Sequence, residues 1–405
     1  MLTQNYEVHP AFNFSQKPFS IDLNKLETVD LSYQKLTDLK NNVNQSSRDK
    51  IKLFEQLKKQ IIDVFSDLSL QAEDDFERAF ISELEFHCLN LLQVEMEVLL
   101  KAQQKYYLSR NDESLESEFK SQYFLLYQLP EAAVSKIQKI SAPHIAKLKK
   151  NASLGLITRE DLSINNSRFI SSIVKVLNKE YGHAGILKAV SAYMGRPYDV
   201  GGMALELSVP TSTWWRDGLN PSTKAPSTIY AHLDESKKFP KSIVYLSDVS
   251  IDNGPTSFYP RIFDGFRLNA LQEIIGRVID RVGDKSDSLL KAHYSKTYHQ
   301  SMLSEAFRKH FMRLPPELRF NSHFGWDVMP GGELENAMKS VEQTMLGGAG
   351  SCIIFDGARL VHRGGLIEAG ERVVLQVIFS PKLTTPHKIL LRIMGAIKRI
   401  KRVFQ

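Results

Sequence analysis

A chain of 405 residues with 42% hydrophobic and 24% charged residues can bury a large core, and its length predicts two or three units. Its net charge of +6 is carried entirely by Lys388, Arg392, Lys398, Arg399, Lys401 and Arg402 in a tail without acids, so residues 1–386 are neutral. That neutrality argues against a broad nucleic-acid-binding surface, and no apolar run reaches the roughly 18 residues a membrane span needs. The N-terminus has no basic stretch leading into an apolar one, and the two cysteines, Cys88 and Cys352, sit in unrelated contexts. Together these predict a cytoplasmic protein with reduced, buried thiols.

No glycine precedes Gly155, and proline is absent between Pro18 and Pro130, which favours helix. Apolar residues recur every three or four positions at Ile51, Phe54, Leu57, Ile61 and Phe65, and again at Phe76, Phe80 and Leu84. With Ser46, Ser47 and Asp49 as cap residues, this spacing predicts two long helices over 45–110 in an N-terminal helical region, 1–115. Tyr123–Leu129 reads as a strand, and Pro130 opens a helix because proline suits the first helical turn. Residues 167–193 are a further helical region. After Gly195, short strands are expected at 203–209, 227–233, 243–246, 352–355 and 372–379, interrupted by helix over 266–312. The expectation is an α+β protein with a β-sandwich or barrel at its centre.

Within the expected strand 227–233 and just beyond it lies His232-Leu233-Asp234. Side chains two apart on a strand share a face, so His232 and Asp234 can bind one ion, with Tyr230 and Thr228 lining the same face. Val361-His362-Arg363-Gly364-Gly365 supplies a second histidine, and Arg372 heads an apolar run. Two imidazoles and one carboxylate on one side of a metal form the ligand set of non-heme Fe(II) oxygenases. A lone His-x-Asp is most often an ordinary surface feature, and the alternative for Arg372 is an ion pair with an Asp or Glu of this chain.

The context on both sides of these residues resembles a known family. The first block runs from Thr228 through Phe239-Pro-Lys-Ser-Ile-Val-Tyr245 to Asn253-Gly-Pro-Thr256, and the second from Gly350 through Phe355-Asp-Gly-Ala-Arg359 and Gly364-Gly365 to Phe379. Together they resemble the Fe(II)/2-oxoglutarate-dependent dioxygenases, in particular the phytanoyl-CoA dioxygenase-like branch, over about residues 120–381. The resemblance implies a double-stranded β-helix (jelly-roll) core with flanking helices over 116–381, carrying a helical insert over about 264–345. It implies Fe(II) held by His232, Asp234 and His362, and 2-oxoglutarate held through its distal carboxylate by Arg372, ten positions after His362. An arginine fork suits a carboxylate better than lysine does. Tyr245 falls where many relatives carry a Trp that touches the co-substrate, and Tyr230 lies beside it. Two departures stand out: Phe258-Tyr-Pro-Arg-Ile-Phe-Asp264 replaces the family's Pro-Gly-Ser-His stretch, and 128 positions separate Asp234 from His362.

The implied reaction consumes O2 and 2-oxoglutarate, releases succinate and CO2, and hydroxylates a small or carrier-linked metabolite. A carboxylate at 234 points away from the related halogenases, which carry a small residue at that position. Two other readings stay open: a non-heme iron oxidase without 2-oxoglutarate, and a non-catalytic barrel acting as an interaction scaffold. His293 and His299 fit no compact ligand spacing; Trp214-Trp215 and His323-Phe-Gly-Trp326 are candidates for a substrate wall or simple core packing. The tail 382–405 is a basic amphipathic helix candidate, with Ile389, Ile393, Ile397, Ile400 and Phe404 on one stripe, suited to an anionic membrane surface, an acidic partner or the body of the protein.

Overall fold

A computed structural model describes residues 17–41, 47–101, 113–163, 168–210, 231–234, 239–262, 268–279, 305–321, 324–328, 332–365 and 367–382. The chain divides into two compact units: Met1–Tyr107 with Gly218–His232 and Ile262–Ser340, and Leu108–Asp217 with Leu233–Arg261 and Val341–Gln405.

The first unit is helical. It contains α1 (Leu23–Asn41), α2 (Ser47–Ser69) and α3 (Asp75–Lys101), with α8 (Ala270–Ile279) and α9 (Glu305–Arg313) from the later segment. Helices α2 and α3 occupy the stretch where the apolar spacing predicts two helices. Their buried stripes are Phe54, Leu57, Ile61, Val64 and Leu68 on α2, and Phe80, Leu84, Cys88 and Leu91 on α3. Helix α1 was not anticipated. Its own buried stripe, Leu26, Val29 and Leu36, is short and joins one apolar cluster with α2, α3, α8 and α9. Asp74 caps α3 by accepting the Glu77 N–H at 2.8 Å, which holds its carboxyl below the usual range. Arg313 closes the unit by donating to Glu77 at 2.7 Å, Glu73 at 2.9 Å and the Lys17 carbonyl.

The second unit mixes helices with antiparallel strands. Its helices are α4 (Glu113–Gln122), α5 (Glu131–Ser153), α6 (Arg168–His183) and α7 (Ile186–Tyr193). Its strands are β1 (Phe124–Gln128), β2 (Arg159–Ser163), β3 (Tyr198–Ser208), β4 (Lys241–Tyr245), β5 (Ser257–Tyr259), β6 (Gln343–Thr344), β7 (Ser351–Phe355), β8 (Val361–Arg363) and β9 (Arg372–Pro381). Among the described residues they form a sheet in the order β1-β7-β4-β9-β3-β2 and a second in the order β6-β5-β8.

Strand parity sorts the larger sheet into two cores. Val244, Cys352, Ile354, Val373, Leu375 and Val377 face the helices α5–α7. Tyr245, Ile353, Phe355 and Val374 alternate with them and cluster with Phe258 of the smaller sheet. Helices on one face and a short sheet on the other make a mixed helix and antiparallel-sheet architecture, as expected. The complete jelly-roll winding is not traced by the described strands. No described helix is long and apolar enough to cross a membrane.

Candidate metal centre

The site grows from the turn between β7 and β8. Asp356 is buried; its carbonyl accepts the Arg359 and Leu360 N–H groups at 2.9 and 2.8 Å, and its Oδ1 accepts the Ala358 N–H at 3.1 Å. The Tyr193 hydroxyl donates to its other oxygen at 2.6 Å, and burial pushes the Asp356 carboxyl up. Asp-Gly is a turn-forming pair, and here it fixes where β8 begins.

On β8, His362 lies opposite Phe258 of β5. Its neighbour Arg363 points to the other face, where it donates to Glu342 at 2.5 Å. The His362 Nδ1 hydrogen bonds the Leu360 carbonyl at 2.9 Å, so this nitrogen carries the proton and Nε2 presents its lone pair. Burial holds the imidazole below its ordinary pKa, against the pull of Asp234, and favours the neutral form a metal needs. The Phe355 ring meets its edge at 4.8 Å between centroids.

Asp234 is tied to the same turn by its backbone, whose N–H donates to the Gly357 carbonyl at 2.7 Å. The side chain lies so close that a Cβ built at residue 357 would meet Asp234 Cγ at 2.7 Å and Cβ at 3.1 Å, with Oδ2 nearer still. Glycine at 357 is therefore demanded by the carboxylate rather than by the backbone. Asp234 Oδ2 is 3.8 Å from His362 Nε2, and Oδ1 is 2.7 Å from Lys241 Nζ. His232 is buried, and the Ala231 carbonyl just before it accepts the Gly325 N–H at 3.1 Å. His232, Asp234 and His362 each offer one ligand atom, all within 4.8 Å of one another. Ligands about 2.1 Å from one ion can be up to about 4.2 Å apart, so the 3.8 Å Asp234–His362 pair suits a divalent first-row metal, and a small contraction would bring in the full set.

Arg372, at the head of β9, is 3% exposed and donates to the Gly254 carbonyl. Burial pulls its pKa down, while Tyr245 and Glu206 oppose that. The segment it grips, Gly254–Thr256, runs directly into β5, the partner of His362. Gly365 presses on the same segment: a Cβ there would lie 2.6 Å from the Gly254 carbonyl carbon. Arg372 and His362 are thus keyed to one short stretch of backbone.

Tyr245 is fully buried, and its hydroxyl is used twice, donating to the Met345 carbonyl at 3.0 Å and accepting the Thr256 N–H at 2.9 Å. Tyr245→Phe should cost about 1–3 kcal/mol of stability, since both backbone groups lose a buried partner. Chemical denaturation measures it, and an unchanged midpoint would mean the two bonds carry no net energy.

Lys241 and Gly357 escaped the sequence reading. Gly357 stood in view as an Asp-Gly turn signal, but its role depends on where Asp234 folds to, and no spacing rule links Lys241 to Asp234. Tyr230, Thr228, Trp214, Trp215, His293, His299, His323 and the tail from 383 onward lie outside the described residues.

Neither a family model nor a curated protein matches this chain. Among solved structures, AviO1 from Streptomyces viridochromogenes Tue57 is similar at 11% identity, covering 69% of this chain and 99% of that one, with a TM-score of 0.35. The epimerase SnoN, in complex with Fe3+, alpha ketoglutarate and nogalamycin RO, gives 13% identity over 66% of this chain and 82% of that one, at 0.34. HygX from Streptomyces hygroscopicus, with nickel and 2-oxoglutarate bound, gives 12% identity over 69% of this chain and 90% of that one, at 0.34. At these scores the likenesses decide nothing about this chain, whose own residues have to carry the reading.

Proposed function

We propose that this protein is a non-heme Fe(II), 2-oxoglutarate-dependent oxygenase of the phytanoyl-CoA dioxygenase-like kind, hydroxylating a small or carrier-linked metabolite. The observation that supports the reading is the convergence of His232, Asp234 and His362 within 4.8 Å, with His362 Nδ1 bonded to the Leu360 carbonyl and Nε2 turned toward Asp234. Two imidazoles and a carboxylate on one side leave the other side of the ion open. Iron bound there, with 2-oxoglutarate and O2, supplies the oxidising power, and the co-substrate leaves as succinate and CO2.

The remaining work falls to the chain itself. His232 and Asp234 hold one side of the metal and His362 closes the set. Arg372 neutralises the distal carboxylate of 2-oxoglutarate from a buried position, where a charged fork is strongest. Tyr245 interacts electrostatically with that arginine, and its hydroxyl is engaged by backbone groups. Burial of His232 and Arg372 keeps bulk water from the ligands and the co-substrate anchor. The proposed compartment is the cytoplasm, in keeping with Cys88 and Cys352 as buried free thiols.

Anaerobic addition of Fe(II) and 2-oxoglutarate should produce a weak visible charge-transfer band, lost in His362→Ala. A wild-type protein that takes up neither iron nor 2-oxoglutarate would overturn the reading.

A further inference from the structure

We propose that Lys241 is a positioning residue that restricts Asp234 to ligation through one oxygen, Oδ2. The inference rests on the metal-centre reading above and concerns a residue which that reading leaves without a role.

The two oxygens of Asp234 have different surroundings. Oδ2 faces His362 Nε2 at 3.8 Å, over the space that Gly357 leaves open. Oδ1 is taken by Lys241 Nζ at 2.7 Å, in a pair whose side chains are 19% and 16% exposed. A charge-assisted bond this sheltered orients a carboxylate more firmly than a surface ion pair does. The anchor under the lysine is rigid: Lys241 opens β4, paired with Phe355 of β7 on one side and Ile378 of β9 on the other. Phe355 is also the residue whose ring meets His362.

A carboxylate that chelates an ion must turn both oxygens toward it. Here that rotation would break the Lys241 bond, while the Asp234 N–H, fixed to the Gly357 carbonyl at 2.7 Å, prevents the backbone from following. One oxygen therefore ligates and the other stays with the lysine. The consequence is an additional open coordination position, which a co-substrate binding through two atoms needs if O2 is to have room as well. Lys241 touches neither metal nor substrate; it acts through Asp234.

Co(II) titration of the full-length protein tests this, since the visible bands of Co(II) report coordination number. Lys241→Met, which keeps the stem and removes the donor, should weaken Co(II) binding about tenfold, as outer-shell losses do. Its bands should shift toward a more fully coordinated ion, and 2-oxoglutarate should perturb them less than in the wild type. Lys241→Arg, which restores a donor, should recover the wild-type spectrum; a purely structural lysine would move stability without moving the bands. Should Lys241→Met not fold, Lys241→Leu, which also lacks a donor, carries the same expectation. Wild-type affinity and spectrum in the folded Met or Leu variant would overturn the inference while leaving the metal centre intact. A wild type that binds no Co(II) would instead overturn the metal-centre reading, and this inference with it.

Discussion

Gly357→Ala is expected to lower metal affinity about 100-fold while leaving the protein folded. The added methyl would meet Asp234 Cγ at 2.7 Å and Cβ at 3.1 Å, so the carboxylate has to swing away. Because the nearest atoms belong to a side chain, the fold can absorb the change by rotating Asp234. The metal site cannot, since Oδ2 is the atom displaced and Lys241 holds the other oxygen. Loss of correct ligand placement is of the order seen when metal-supporting contacts are removed, about 10–100-fold, and direct displacement of a ligand belongs at the upper end. Isothermal titration with Fe(II) under nitrogen or with Co(II) measures it, with thermal melting of the metal-free protein as the control. Unaltered affinity would mean that Asp234 is not a ligand, or that it binds in a pose other than the one it holds here.

Arg372→Ala is expected to weaken 2-oxoglutarate binding about 10–100-fold while Fe(II) binding persists, matching the ~1.5–3 kcal/mol of a hydrogen bond to a charged group. The residue is not near-surface decoration. It is 3% exposed at the head of β9 and donates to the Gly254 carbonyl, so its charge is held in the interior, where a carboxylate brought beside it would be bound strongly. Arg372→Lys should recover only part of the affinity, since an ammonium cannot offer the planar fork. Arg372→Met preserves volume if alanine leaves too large a cavity. Wild-type 2-oxoglutarate affinity in these variants would favour an iron oxidase that does not use this co-substrate.

Much of the architecture was legible because it is periodic. The stripes of α2 and α3 can be read at intervals of three and four, and β7 and β9 announce themselves as apolar runs behind glycine turns. The His232–Asp234 pair was read from strand parity, but residues 231–234 form no strand; instead the Asp234 N–H bond to the Gly357 carbonyl ties the carboxylate to the turn before His362, and the three ligand atoms lie within 4.8 Å. Elements that exist through their neighbours were not legible. β2, Arg159-Glu-Asp-Leu-Ser163, has no strand-forming composition and is stabilised by β3, where Arg159 pairs across the ladder with Glu206. β5 and β8 span three residues each and form because they face one another. The packing of α8 and α9 with the N-terminal helices joins residues 240 positions apart, as in the Ala270–Asp30 bond, a relation no local pattern encodes.

The alternation of β7 between two cores makes the proposed metal ligands sensitive to a kind of error that leaves the amount of sheet unchanged. Cys352 and Ile354 face the helices, while Ile353 and Phe355 face the smaller sheet. A slip of one residue would exchange these sets and carry the 356–360 turn about 3.3 Å along the strand. That would take Gly357 from beneath Asp234 and move His362 from its partner. Metal stoichiometry then serves as a proofreader of strand pairing: a folded preparation with substoichiometric metal capacity would contain molecules paired out of frame, which spectra of secondary structure alone would pass as native.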